Sequence, residues 1–349
     1  MSIDYSFMIN DLLDWYDENA RELPWRNQSN PYYTWVSEIM LQQTRVEAVK
    51  GYFSRFIEAL PTVKDLAEAK EEQLLKLWEG LGYYNRVRNM QKAAITVMEQ
   101  YNGELPKDYN ALLGLSGIGT YTAGAIASIA YQLPVPAVDG NVLRVTKRLT
   151  GSYDDIMLAK VKKELEEDML KIMPGKRSGD LNQALMDLGA AICIPNGKPL
   201  CTECPLNHVC KAFQENLIDE LPVKSSKKSR KIEEKTIILF SHKGSYALHK
   251  RADKGLLAGL WEFPNLDISL SLPKLEVLLE EHGIQEYSLE LLGQAKHIFS
   301  HVEWHMIGYR IVLSNRESDL FEDFVWVSKE KIQAEYAIPT AFKAYSIQL

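Results

Sequence analysis

The run Leu115-Ser-Gly-Ile-Gly-Thr-Tyr-Thr-Ala-Gly-Ala-Ile126 constrains this chain more than any other stretch. Gly117 and Gly119 flank one apolar residue just ahead of a small-residue segment that reads as a helix, Tyr121–Ala130. Glycines there permit positive φ and let another backbone approach closely. A hairpin that opens a helix points several free N–H groups at one place, which suits an anion. A backbone phosphate of a nucleic acid is the natural candidate, because such contacts position a protein without reading sequence. A proline-bounded turn then delivers Asp139 in Val138-Asp-Gly-Asn-Val142. Taken alone, Gly-x-Gly is a tight turn between packed helices. The acidic residue and a cysteine cluster downstream give it a chemical context.

At 349 residues the chain is long for one core and implies two or three domains. No apolar run approaches membrane-spanning length and the N-terminus lacks a basic-then-apolar signal pattern, so a soluble, intracellular protein with no membrane contact is expected. The net charge of -7 gives no global attraction to nucleic acid. Contacts with DNA must then come from local patches and backbone donors, because charge distribution, not its sum, makes the electrostatic footprint.

Two-thirds of the chain reads as helical. Asn30-Pro31 predicts an N-cap and first-turn proline for a helix through Val46, on which Glu38, Gln42 and Arg45 share a face. Further helical patterns cover 5–19, 46–59, 65–77, 86–100, 139–149, 159–172 and 180–192. From Pro222 to Lys231 the texture changes to a basic, apolar-poor stretch, the composition of an exposed linker or a contact to a DNA backbone. Alternating β-rich runs follow at 235–240, 246–249, 305–313 and 324–327, with helical pieces near 275–282 and 329–334.

Cys193, Cys201, Cys204 and Cys210 are the four cysteines of the chain, all within eighteen residues. In a reducing compartment this argues for a metal site over disulfides. By spacing alone two readings stand: zinc on Cys201 and Cys204 with His208 or Cys210, or a [4Fe–4S] cluster on all four thiolates.

Several motifs together carry a resemblance. Leu23-Pro-Trp-Arg26, Ser37-Glu-Ile-Met-Leu-Gln-Gln-Thr44, Gly80-Leu-Gly-Tyr-Tyr84, the hairpin, Val138–Val142 and Asn182-Gln-Ala-Leu-Met-Asp-Leu-Gly189 are similar to the adenine-specific branch of the helix-hairpin-helix DNA glycosylases. Leu256-Leu-Ala-Gly-Leu-Trp-Glu-Phe-Pro264 and Phe299-Ser-His301 extend the resemblance over nearly the whole chain. It implies an all-α helix-hairpin-helix glycosylase core with an iron–sulfur region, plus an α+β Nudix-like domain. The domains would be a catalytic region 1–222 (a six-helix subdomain over about 28–135 and an iron–sulfur subdomain from 1–27 and 136–222), a linker 223–232 and a recognition domain 233–349. The family separates its first two cysteines by six residues, whereas seven intervene here (Ile194 to Leu200), which lengthens a surface loop around Asn196-Gly197-Lys198.

The implied activity is a monofunctional glycosylase that removes adenine mispaired with 8-oxoguanine or guanine in double-stranded DNA, working as a monomer. Such chemistry needs an acid for the leaving group and an anion for the sugar cation. By resemblance Glu38 is the acid at adenine N7, Asp139 stabilises or traps the oxocarbenium, and Tyr121 and Asn141 orient the site. Trp25, Arg26 and Gln183 match adenine-pocket positions. Gln43, Thr44, Leu81 and Tyr83 match positions that fill or wedge the duplex once the base is flipped. The resemblance also implies a monovalent cation at the hairpin. Bifunctional relatives carry a Schiff-base lysine where this chain has Tyr121, and no lysine occurs between Lys107 and Lys147, so strand cleavage is not expected.

Glu276-Val-Leu-Leu-Glu-Glu-His-Gly-Ile284 is the nearest approach to a Nudix box, with Glu276-Val277 in place of the Arg-Glu pair, so a binding role fits better than pyrophosphate hydrolysis. Phe299, Ser300 and His301 would then read the 8-oxoguanine. His297, His301 and His305 recur every fourth residue, but flanking β-branched and aromatic alternation places them on strands, not on a metal-binding helix. Two rivals remain: an endonuclease III-like glycosylase/lyase, and a lesion sensor that binds without cleaving.

Overall fold

In a computed structural model the described residues are 3–26, 30–226 and 229–349, leaving two residues of the basic linker outside them. They form two units, 1–69 with 89–226 and 70–88 with 227–349, so that segment 70–88, expected with the helical region, packs with the C-terminal sheet region.

The first unit is helical: α1 (Ile9–Asn19), α2 (Pro31–Leu41), α3 (Val46–Ala59) and α4 (Val63–Glu68) precede the boundary. The second unit takes up α5 (Glu71–Leu77) and the first turn of α6 (Asn85–Gln100). The first unit continues through α7 (Tyr109–Leu113), α8 (Thr120–Ala125), α9 (Gly140–Thr150), α10 (Ala159–Ile172), α11 (Ser178–Ala191) and α12 (Lys211–Gln214).

The expected cap of α2 is present: Asn30 Oδ1 accepts from the amides of Tyr32 (2.9 Å) and Tyr33 (3.4 Å), with Pro31 in the first turn. The expected far end is not. The helix stops at Leu41, and Gln43 takes a left-handed φ of 60°. Gln42 and Arg45 therefore do not share a helical face with Glu38; Arg45 instead precedes the first turn of α3. The break turns Gln42, Gln43 and Thr44 toward the cavity described below. The single helix expected over 65–77 is likewise two, α4 opening on a Thr62–Asp65 capping box.

The helix after the glycines also differs from expectation, passing at Ile126–Ala130 into a π turn. Two contacts near it fix the strand-like segment leading to Asp139. A Cβ on Gly124 would lie 2.2 Å from the Pro136 carbonyl oxygen, so only glycine permits this approach. Buried Asn182 of α11 donates to Val135 O (3.0 Å) and Ser128 Oγ (2.8 Å) while its oxygen accepts from the Ala137 amide (3.0 Å). A core of Leu12, Val142, Val145, Leu165, Leu181 and Leu185, among others, joins α1, α9, α10 and α11 beneath this segment.

The second unit holds a sheet in the order β3-β2-β1-β6-β5. Its strands are β1 (Lys231–His242), β2 (Ser245–Lys250), β3 (Trp261–Glu262), β4 (Asn265–Leu266), β5 (Tyr287–Ile298), β6 (Val302–Leu313) and β7 (Val325–Ser328). β1 runs parallel to β6 and antiparallel to β2, and β5 pairs antiparallel with β6. Ile237 and Leu239 face Trp304, Met306 and Phe342, whereas Ile238 and Phe240 face Leu275, Leu279, Tyr309 and Ile311. β1 is thus covered on both faces, and its middle reads as a continuous apolar run. Helix α13 (Leu272–Glu281) supplies the second cover, while α14 (Lys329–Glu335) and α15 (Lys343–Ser346) follow β7. Among the described residues no helix is long and apolar enough to cross a membrane.

Candidate active site

Ten of the residues singled out by sequence line one cavity of about 640 Å³ in the first unit: Trp25, Arg26, Glu38, Gln43, Thr44, Gly119, Tyr121, Asp139, Asn141 and Gln183. Glu38 reaches it from α2, Tyr121 from α8, Asp139 from the start of α9 and Gln183 from α11.

The two carboxylates have different surroundings. Glu38 is 5 % exposed and accepts a short hydrogen bond from the Tyr121 hydroxyl, which also lies 3.8 Å from Met186 Sδ. Burial pushes the Glu38 carboxyl up to about 7; the Tyr121 hydrogen bond opposes this, the charge of Asp139 adds to it and Arg26 opposes it. Burial and the two carboxylates hold the Tyr121 hydroxyl well above its ordinary value, so it stays a donor.

Asp139 is the N-cap of α9. Its Oδ1 accepts from the amides of Asn141 and Val142, each at 2.8 Å, and its Oδ2 from Asn141 Nδ2 at 2.8 Å. Burial raises this carboxyl too, but the three donors and Arg144 pull it back toward the ionised form. Arg144 secures the arrangement one turn on, donating to Asn141 Oδ1 (3.0 Å), Gly189 O (2.7 Å) and Cys193 O (2.8 Å).

The glycines divide their roles differently from expectation. Gly117 has φ +75° and sits against Asn89, where a Cβ would come to 2.7 Å. Gly119 is extended (φ -95°, ψ -179°), so it needs no left-handed backbone; it caps α8 and nothing lies within 4 Å of where its Cβ would be. That open side belongs to the cavity wall.

Arg26 lines the cavity, but its guanidinium forks onto Asp187 (2.7 and 2.9 Å). Leu81 is 6 % exposed, so it presents little to a duplex, whereas Tyr83 is 49 % exposed at a left-handed φ of 47°. Within the second unit the Tyr83 hydroxyl lies 2.8 Å from Ser300 Oγ, pairing two residues named separately from sequence. Phe299, Ser300 and His301 form the turn between β5 and β6, with Phe299 edge-on to His297 (4.5 Å) and Trp304 (4.8 Å). His297 lies on β5 and His305 on β6, as the alternation predicts, whereas His301 lies in the turn and not on a strand. Sequence reasoning passed over Arg21, Asp187, Thr120 and Lys162; Lys162 lines the cavity and donates to Thr120 Oγ1 at 3.3 Å.

The four cysteines line a second, apolar cavity with Val145, Leu149 and Ile218. Arg148 donates to Cys193 Sγ (3.3 Å), the Leu206 amide to Cys204, and the Ala212 and Phe213 amides to Cys210. Burial pushes the Cys204 thiol up to about 12, so a positively charged group is needed to make it a thiolate. As placed, no three His, Cys, Asp or Glu side chains among the described residues are grouped to hold a metal ion.

Comparison with known proteins bears on both units. The HhH-GPD superfamily base excision DNA repair protein family matches residues 36–174, and the NUDIX domain family residues 236–347. The chain is 33% identical over 393 residues to adenine DNA glycosylase of Mus musculus, covering 96% of this chain and 76% of that one. Against adenine DNA glycosylase of Buchnera aphidicola subsp. Acyrthosiphon pisum it is 36% identical over 296 residues, with 84% and 83% covered. A solved non-covalent endonuclease III–DNA complex superposes with a TM-score of 0.52 at 27% identity, over 60% of this chain and 95% of that one.

Glu38 also links the site to stability. Its carboxyl titrates at about 7 in the fold against 4.5 for the unperturbed group, so the stability is full below 4.5 and lost as pH rises through 7. Glu38→Gln should therefore stabilise the chain by ~1–3 kcal/mol at pH 8 and by little near pH 4. Denaturant unfolding at the two pH values measures this; an equal effect at both would show that Glu38 is not held protonated.

Proposed function

The chain belongs to the adenine DNA glycosylases, enzymes of base excision repair, and from that premise we propose that it releases adenine standing opposite 8-oxoguanine or guanine in duplex DNA, without cutting the strand. The observation that carries this reading is the pair of carboxyls on one cavity, one near neutral pKa and one held by three donors.

Glu38 gives its proton to N7 of a flipped adenine, which makes the base a neutral leaving group. The C1′–N9 bond breaks with its electron pair going to the base. Asp139, as the anion beside C1′, stabilises the resulting oxocarbenium. Water adds to C1′ and its proton passes to a carboxylate, leaving an abasic site. Tyr121 holds Glu38 by its hydroxyl, and Asn141 holds Asp139 by its amide. Gln183 and Trp25 supply a polar edge and an apolar face for the base. Tyr121 carries no amine, which supports hydrolysis without a Schiff base.

Cys193, Cys201, Cys204 and Cys210 would hold a [4Fe–4S] cluster. The support is the donor set itself: four thiols on one apolar cavity, met by amide N–H groups and a buried guanidinium that suit a negatively charged sulfur site. Bound there, the cluster supplies a rigid cross-link and a redox centre. The opposite base would be read by the Phe299–His301 turn, with Tyr83 beside it as the wedge into the duplex.

Base release from duplexes with A opposite 8-oxoguanine, G or T tests the reaction. Glu38→Gln and Asp139→Asn should each abolish single-turnover release while duplex binding stays within about tenfold, since neither change removes a phosphate contact. Either variant keeping wild-type rates would remove that residue from the mechanism. Replacing Phe299 and Ser300 together by alanine should cost roughly 1–3 kcal/mol of discrimination, about ten- to a hundredfold in the 8-oxoguanine-to-guanine ratio. An equal loss on both substrates would mean that the lesion is read elsewhere. Purified protein should be brown with about four irons per chain; colourless protein with one zinc would overturn the cluster but not the glycosylase.

A further inference from the structure

Asp187 has no exposed side-chain surface and sits on α11 between two arginines from the segment after α1. Arg26 forks onto it through Nη1 (2.7 Å to Oδ2) and Nη2 (2.9 Å to Oδ1). Arg21 donates to it from Nε (2.7 Å) and from its backbone amide (3.2 Å), and Arg26 Nη1 also reaches Arg21 O at 3.3 Å. Four residues separate the two arginines, and one carboxylate more than 160 residues away gathers both. The cluster belongs to the cavity wall: Arg21, Arg26, Gln183 and Met186 line it together with Glu38.

Such an arrangement is costly unless it does something, because a buried ion pair repays its desolvation only with good geometry. The wall beside a general acid is a poor place for a free guanidinium, whose charge favours the ionised carboxylate. We propose that Asp187 is a positioning residue for adenine release: it pins Arg26 against the cavity wall and offsets its charge, so that Arg26 orients the base without drawing the proton from Glu38. The titratable and charged groups that line the cavity with Glu38 are Tyr121 from α8, Asp139 from the start of α9, Arg21 and Arg26 from the segment before α2 and Lys162 from α10; Tyr121, Asp139 and Arg26 act on Glu38 directly. Of these, Arg26 opposes the effect of burial by its charge, and Asp187 is the group that offsets that charge.

The inference rests on Glu38 being the general acid, and single-turnover adenine release across pH 5–9 tests the two separately. Asp187→Asn keeps a hydrogen-bond acceptor but removes the negative charge. The alkaline limb of its profile should move to lower pH by about half to one unit, giving roughly a threefold to tenfold loss at pH 8 that is recovered near pH 6. Arg21→Met leaves Asp187 wholly to Arg26, and its limb should move the other way. A merely structural role would lower the rate at every pH or shift both variants alike, and either result overturns the proposal. Should Asp187→Asn fail to fold, Arg21→Met decides: an alkaline shift supports the proposal and an unmoved limb refutes it. Full activity of Glu38→Gln would instead refute the reading of Glu38 itself.

Discussion

The wall of the large cavity at the start of α9 depends on how the carboxylate of Asp139 is held. Of the three hydrogen bonds that hold it, the two from the Asn141 and Val142 amides also make it the N-cap of α9, and the third comes from the Asn141 side chain. Helix start and carboxylate placement are therefore one structure, and the cap, worth about 1 kcal/mol in general, adds to the fold while orienting the side chain. Asn141 ties that cap to Arg144, and Arg144 ties it to the carbonyls of Gly189 and Cys193. A disturbance at the cysteine loop would reach Asp139 through two side chains. From the other direction, Gly124 and Asn182 fix the backbone leading into the cap.

Glu38 is governed by the opposite logic. It has one neutral donor where Asp139 has three, and it shares the cavity side of α2 with Thr34, Ser37 and Leu41. Burial raises both carboxyls on the cavity, but three donors and Arg144 oppose it at Asp139 where Tyr121 and Arg26 oppose it at Glu38. Negative charge on Asp139 adds to the rise at Glu38.

Much of this was legible in sequence where a local rule decides. Asn30-Pro31 opens α2 because capping and a fixed proline φ act within four residues. The end of α2 was not legible: Leu41-Gln-Gln-Thr44 contains no Gly or Pro, and Gln43 enters the left-handed region, rarely visited by such residues. Of the edge strand β5 only the end around His297 is legible, because Glu290, Gln294, Ala295 and Lys296 have weak strand preference; the rest exists through its pairing with β6 across a bulge at Leu291/Gly293. Nothing local to Asn182–Gly189 marks Asp187 as a buried ion-pair partner, since the arginines that pair with it come from the far end of the chain. Pairings of that kind are tertiary facts, and no window of sequence contains them.

The second unit shows how a whole sheet holds a short turn. Phe299, Ser300 and His301 are three residues, too few to hold a shape by themselves, and a loose turn would add an ordering cost to any contact it made. Here the turn is fixed from several sides. Phe299 N donates to Val302 O (2.9 Å), His301 O accepts from the Lys231 amide (3.2 Å), and Phe299 O accepts from Arg230 Nε (2.9 Å). The Phe299 ring is wedged between His297 and Trp304, and Trp304 is itself buried at 1 % exposure. Trp304 lies on β6, beside a β1 covered on both faces, so the rigidity of the turn is inherited from the centre of the sheet. Helix α13, where the Nudix box would lie, gives Leu275 and Leu279 to that centre. The helix keeps its packing role although the Arg-Glu pair is gone, because the sheet still needs its second cover.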